Sequence, residues 1–383
     1  MEILLVGLLV FFLPSQLGLH FWPPYALVSG LRVDYLSPVF LFTDLFILPL
    51  IFLYLSRLAF TPSRLVSHKK LLLLCLLILL NIVFSLRPAV AAFKYLRLLE
   101  YSLLVLYLLS RPRYLFSVLP RLLPLSLILV ASLAWMQFFY QRSLGGLWYF
   151  FGERALSVST PEVAKVTLGS WGLILRPYSV FSHPNSLAGF LLVSGLLLYY
   201  FYRRSPSLLL QLSLVFTAVT LPLTFSRTAI VLEAISLLVL FRKWFLLPLA
   251  VLPFLFSGSS ASLSGRLALF NLALRQFFLH PVTGLGLGNF PVISPSFQPV
   301  HLIPLLLLSE LGLPFFLLLL FPLAVFIKKI PHLPLPLLLS WICILATSLV
   351  DHYWLTLPQN LLLLFILLAQ SLAEGLHISA SSR

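Results

Sequence analysis

The chain has 383 residues, of which 61% are hydrophobic and only 9% charged, and its mean hydropathy is +1.07. A soluble domain carries about 25% charged residues, so the composition argues against a water-soluble fold and for apolar helices crossing a bilayer. The formal net charge of +15 would suggest nucleic acid in a soluble protein. Without an interleaved aromatic and basic pattern it reads instead as charge on cytoplasmic loops, and no nucleic-acid partner is expected.

The first apolar run, Ile3–Leu13, is short and lacks a small-residue cleavage site, so it reads as a first membrane helix rather than a removed signal. Apolar runs punctuated by Pro, Gly and charge then predict about twelve membrane helices. They fall near residues 2–14, 38–56, 71–86, 89–110, 118–140, 184–202, 207–223, 228–241, 244–256, 303–327, 333–350 and 359–374. The expected fold class is all-α: a polytopic helical membrane protein forming a single integral membrane domain over residues 1–383. Cys75 and Cys343 both lie inside apolar runs, which gives no disulfide framework. No tandem repeat is visible.

Alternating the loops sets an orientation. The pairs Lys69-Lys70, Arg203-Arg204, Arg242-Lys243 and Lys328-Lys329 all fall on one side, with Arg57, Arg64, Arg111, Arg113, Arg121 and Arg383. That side is read as cytoplasmic, and both termini lie on it. The two longest connections, 141–183 and 257–302, are then extracytoplasmic loops, and loops of that length usually carry function. The basic residues left outside or within the membrane are the informative ones, because a cation kept there at a cost suggests an anionic partner.

Five stretches carry chemistry. "FKYLRLLEY" (93–101) puts Lys94, Arg97 and Tyr101 on one helical face, read either as a structural ion pair of Arg97 with Glu100 plus a snorkelling lysine, or as a cationic stripe for a lipid phosphate. "RPYSVFSHPNSLAGFL" (176–191) leads from Arg176 into a helix with Pro184 in its first turn and His183 or Asn185 near the cap. "LTFSRTAIVLEA" (223–234) sets Arg227 at the outer start of a helix, where a cation is unfavourable unless an anion joins it. "SGRLALFNLALRQFFLHPVTGLGLGNF" (264–290) reads as an interfacial amphipathic helix opened by Arg266, followed by a glycine-rich turn. The turn lacks the context of a nucleotide loop. "QPVHLIPLLLLSELGL" (298–313) places His301 at a helix start with Glu310 nine residues further in. Histidine suits proton transfer near neutral pH. No Asp-x-Asp and no His/Cys cluster is seen in the sequence, so neither a metal nor a cofactor is expected.

Taken together and in this order, the last four of these stretches resemble the O-antigen ligase / O-antigen polymerase superfamily of bacterial inner-membrane proteins. The resemblance covers roughly residues 90–370 in layout and about a quarter of the chain in motif. It implies a glycosyltransferase-C-like membrane fold and a metal-independent inverting transfer of a glycan from undecaprenyl-pyrophosphate to a lipid, glycan or protein acceptor at the extracytoplasmic face. Carried over, His301 matches the family's outer-loop histidine, the expected catalytic base. Arg176, Arg227 and Arg266 match its pyrophosphate-binding arginines. Lys94, Arg97, His183 and Asp34 are secondary candidates. Asp34 is read chiefly as a surface partner of Arg32, and Glu310 as a structural partner of a buried cation or polar group. One departure is plain: Leu302 follows His301 where relatives carry Asn. The alternative reading is a lipid-linked oligosaccharide flippase or other transporter, with Lys94, Arg97, Glu233 and Glu310 lining a path.

Overall fold

The structure, a computed structural model, describes residues 1–58, 68–169, 172–242, 260–329 and 332–381. It is dominated by helices: α1 (Glu2–Phe11), α2 (Asp44–Leu58), α3 (His68–Val83), α4 (Pro88–Ser110), α5 (Pro112–Tyr140) and α6 (Pro184–Arg204). There follow α7 (Leu208–Thr220), α8 (Arg227–Phe241), α9 (Ser260–Leu279), α10 (Ile303–Lys329), α11 (Leu335–Ser348) and α12 (Pro358–Ser381), with a one-turn helix, Tyr353–Thr356, before the last. Proline opens α4, α5, α6 and α12; its fixed φ suits a first turn, where the missing N–H has no partner to lose.

Three of these helices are long and apolar enough to cross a membrane: Pro112–Tyr140, Pro184–Arg204 and Ile303–Leu320. The expectation of about twelve spans is therefore not met in that form. Glu2–Phe11, Leu71–Val83, Leu208–Thr224 and Leu335–Ser348 are apolar but only 10–17 residues long, and at 1.5 Å per residue they fall short of a hydrocarbon layer of about 30 Å. α4 is long, but Lys94, Arg97 and Glu100 interrupt it. The expected helix at 244–256 lies outside the described residues, as do Arg64, Lys243 and Arg383.

Elsewhere the helix positions follow the apolar pattern closely, with one clear shift. Where a helix over 38–56 is expected, Val39–Leu41 is a strand (β4) paired antiparallel with Gly18–His20 (β1), and α2 starts only at Asp44. The Asp44 carboxylate accepts the Leu41 N–H at 2.8 Å, so the side chain ends the strand and opens the helix together. Two more small antiparallel pairs, Leu27–Val28 (β2) with Leu31–Arg32 (β3) and Lys165–Thr167 (β5) with Leu173–Leu175 (β6), complete the sheet content among the described residues.

α6 is the central element. Almost every residue from Pro184 to Phe201 is buried, against α11, α7, α5, α12 and α8. A helix apolar all round is expected only where neighbours enclose it. Gly189 is needed there: a Cβ would collide with the Tyr353 ring.

The connections sort to two ends of the bundle. At one, Glu2 pairs with Arg57 and with Arg111 at 3.9 Å, and Glu374 pairs with Arg204 and accepts the Tyr200 hydroxyl at 2.7 Å. At the other lie the small sheets and both long loops; Arg154–Asp34 at 3.4 Å and Gln16 Nε2 donating to Gly152 O at 2.8 Å tie the segment before α2 to the 141–183 loop. The pairing of Asp34 with Arg154 corrects the expected pairing with Arg32, whose guanidinium instead stacks over Trp22 at 5.3 Å.

Candidate active site

The loop that brings Arg176 into place is fixed by one glutamine of α5. Gln137 Oε1 accepts the N–H groups of Tyr178 (3.0 Å) and Ser179 (2.7 Å), while its Nε2 donates to Glu153 Oε1 (2.7 Å) and Ser179 O (3.1 Å). Both ends of a buried amide are thereby satisfied. Arg176 then donates from Nε to Thr224 O at 2.7 Å, three residues before Arg227, and from Nη2 to Asn185 Oδ1 at 2.7 Å.

His183 is the N-cap of α6, its Nδ1 accepting the Asn185 N–H at 3.1 Å, with Pro184 in the first turn. This is the cap read from the sequence. It also directs Asn185 across the bundle, where Nδ2 donates to Asp351 Oδ2 at 2.9 Å. Asp351 lies in the break between α11 and the one-turn helix; its other oxygen accepts the His352 N–H at 2.8 Å. Arg266, in the second turn of α9, donates from Nη1 to Val350 O at 3.2 Å. Hydrogen bonds thus run from Thr224, three residues before Arg227, through Arg176 and Asn185 to Asp351, whose neighbour Val350 accepts from Arg266.

His301 closes the group. Its ring centroid is 5.0 Å from that of His352, at 62°, and Tyr35 meets His352 edge-on at 5.7 Å. His352 Nδ1 is 2.7 Å from the Thr356 hydroxyl. One ligand atom each from His301, Asp351 and His352 lie within 4.8 Å of one another. His301 Nδ1 is buried with no hydrogen-bond partner among the described residues.

Electrostatics fixes the charges. Burial pushes His352 down to about 4 and His183 down to about 3, against the pull of Asp351; His301 is lowered by burial and by Arg266. Burial alone would raise the Asp351 carboxyl, but the histidines and the Asn185 amide outweigh it and hold it at about 2. Burial, with Arg266 and Arg227 nearby, lowers Arg176 to about 10. At neutral pH the imidazoles are therefore neutral, Asp351 is ionised and Arg176 is charged.

Comparison of the chain with protein-family models, with curated proteins and with solved structures finds no match.

The sequence-derived residues divide into two groups. Arg176, Arg227, Arg266, His183 and His301 come together; Lys94, Arg97 and Asp34 do not join them. Arg97 is spoken for: it donates to Asp44 (2.6 and 2.9 Å), Glu100 (2.7 Å) and Val39 O (2.8 Å). Glu310 accepts the N–H groups of Gly288 (2.8 Å) and Phe290 (3.0 Å), so its partner is the glycine-rich turn. The sequence shows no His/Cys cluster, yet the fold assembles His301, Asp351 and His352. Asp351 and His352 are 50 and 51 residues from His301, and the one signal that could have found them is an Asp-His pair at a break between apolar runs. Leu302 packs in an apolar cluster with Leu269 and Ala273 of α9.

Proposed function

We propose that this chain transfers a glycan from a lipid pyrophosphate donor of the undecaprenyl type to an acceptor hydroxyl at the extracytoplasmic face of a bacterial inner membrane, with both termini cytoplasmic. The observation that carries this reading is the meeting of three arginines, from positions 176, 227 and 266, with a histidine–aspartate group built from residues 301 and 351–352. Arginine offers a planar fork suited to phosphate oxygens. Three such groups around one carboxylate leave a net positive site, matched to a pyrophosphate.

In the reaction, the acceptor oxygen forms a bond to the anomeric carbon while the bond from that carbon to the pyrophosphate oxygen breaks. The bonding pair leaves with pyrophosphate, whose growing charge the arginines stabilise. The acceptor proton passes to neutral His301, and ionised Asp351 stabilises the imidazolium that forms. On the opposite face of the bundle the ion pairs of Glu2 and Glu374 take no part.

Two imidazoles and a carboxylate are also a donor set for a transition metal. Against that reading, both Asp351 oxygens already accept N–H groups and the surrounding charge would repel a dication. The deciding experiment is reconstitution in liposomes with lipid-pyrophosphate-linked glycan, an acceptor and excess chelator, without ATP. Donor consumption with glycan on the acceptor supports transfer. Donor moved across the bilayer intact identifies the transporter alternative, and activity that returns only with added metal identifies the second reading.

A further inference from the structure

Beside the arginine–histidine site lies a cavity of about 710 Å³, counting its open mouth. Tyr35 and Thr356, the two neighbours of His352, line its near side; Phe93 and Lys94 of α4 and Leu361 of α12 line its far side. Its walls are mainly apolar. Lys94 and Glu310 lie six and seven residues into α4 and α10, about 10 Å below the helix starts at 1.5 Å per residue.

The charged groups of this cavity are hydrogen-bonded with one exception. Arg97 has its four contacts to Asp44, Glu100 and Val39 O, and both Glu310 oxygens accept backbone N–H groups. Lys94 has no hydrogen bond and no carboxylate within 4.0 Å among the described residues. Its stem crosses Gly288, where φ is +76 and a Cβ would come within 2.7 Å of Lys94 Cγ. The glycine thus makes room for a lysine whose only anionic neighbour in the cavity, Glu310, acts on it from beyond ion-pair distance and spends both oxygens on backbone N–H groups. A primary ammonium kept at such a place, at a cost in hydration, fits an anionic ligand.

We propose that this cavity binds the anionic group, phosphate or carboxylate, of a second substrate through Lys94, and so presents that substrate's hydroxyl to His301. The acceptor role rests on the transfer reading above; the anion site does not. The group is carried either by a lipid head or by a sugar, and the test separates the two.

Binding is read by native mass spectrometry of the purified full chain in neutral detergent, with no donor present. The probes are dioleoyl phosphatidic acid against dioleoylglycerol, and glucose 6-phosphate against glucose. One charged probe should bind at least about tenfold more tightly than its uncharged counterpart, the scale of one charge-assisted hydrogen bond. That preference should vanish in Lys94→Met, persist in Lys94→Arg and survive Arg266→Gln. The arm that responds names the carrier. If Lys94→Met does not fold, protection of the Lys94 amine from acylation by the bound probe gives the same answer on the wild type. Equal binding of charged and uncharged probes, a preference that survives Lys94→Met, or one abolished only by Arg266→Gln overturns the proposal. Because no turnover is measured, a protein that binds through Lys94 yet transfers nothing would sink the enzymatic reading and leave the anion site standing.

Discussion

His301 is largely buried beside a buried carboxylate and a second imidazole, and burial lowers its pKa from the ordinary value. If it takes the acceptor proton, His301→Ala should lower transfer by about 10²–10⁴-fold, the usual contribution of a positioned acid–base group. Its melting temperature should stay near wild type; a stable variant with near-normal turnover removes His301 from the chemistry. Arg227→Lys and Arg266→Lys keep the charge but lose the planar fork. Each should insert normally and lose at least about tenfold in transfer, and wild-type rates in both would end the pyrophosphate role. The lowered histidines also make a stability forecast. Folded His183 (about 3) and His352 (about 4) lie below their ordinary 6.5. Between those values the unfolded chain holds protons that the folded chain does not, so stability falls as pH drops from about 6.5 towards 4. Asp351 adds a loss only below its ordinary 3.8. Melting curves between pH 7.5 and 4.5 should show this decline, and His352→Asn should flatten it; a flat wild-type profile contradicts the neutral, buried imidazoles.

At the scale of elements, α10 and the turn before it form one unit. The helix breaks at Gly312, whose φ is 72. Around the break, Leu285 N donates to Ser309 O (3.0 Å), Gly286 N to Glu310 O (2.9 Å) and Leu313 N to Pro281 O (2.8 Å). Asn81 of α3 reinforces the seam, donating to Thr283 O and Glu310 O and accepting from Leu287 N at 3.0 Å. In Glu310→Gln one acceptor oxygen becomes a donor facing an N–H, and an unsatisfied buried pair costs about 1–3 kcal/mol. Hydrogen exchange should then accelerate at residues 284–290, with α6 unaffected; unchanged exchange there would show that Glu310 does not hold the turn. Much of this scale was legible. Helix starts at Pro88, Pro184 and Pro358 follow from proline chemistry, and the glycines of 284–288 read as a sharp turn. The break at Gly312 was not, because a lone glycine in an apolar run carries no local sign that a distant loop will take its freed carbonyls. The strand at Val39–Leu41 was missed because its partner β1 is some twenty residues upstream, beyond the reach of an apolar count.

For the whole molecule, hydropathy marks which segments are apolar but not how many cross the bilayer. That depends on helix length and on neighbours, and residues such as Arg97 become tolerable only once Asp44 folds against them. The candidate site was half legible for a related reason: arginines away from the paired cationic loops stand out one at a time, whereas Asp351 and His352 gain meaning only from proximity to His301. Orientation is testable directly. Ser159 and Ser296 are exposed in the two long loops, and Ser205 is exposed at the opposite end, beyond α6. In a background lacking Cys75 and Cys343, cysteines at 159 and 296 should react with an impermeant maleimide in intact cells, and one at 205 only after lysis. The reverse pattern would invert the topology and with it the compartment of the proposed chemistry.

The seam between the glycine-rich turn and the broken helix also constrains how the chain is made. Gly288 and Phe290 leave the ribosome 22 and 20 residues ahead of the glutamate that accepts their N–H groups. Asn81 of α3 can already hold Thr283 and Leu287, but until α10 follows the N–H groups of Leu285, Gly286, Gly288 and Phe290 lack their acceptors and must stay in water. Nascent chains halted before Glu310 has cleared the translocon should therefore be cut by added protease within 281–290, and chains released past Gly312 should resist it there. Assembly of this region is a matter of arrival order: the turn waits at the membrane surface, and the helix that breaks to receive it comes last.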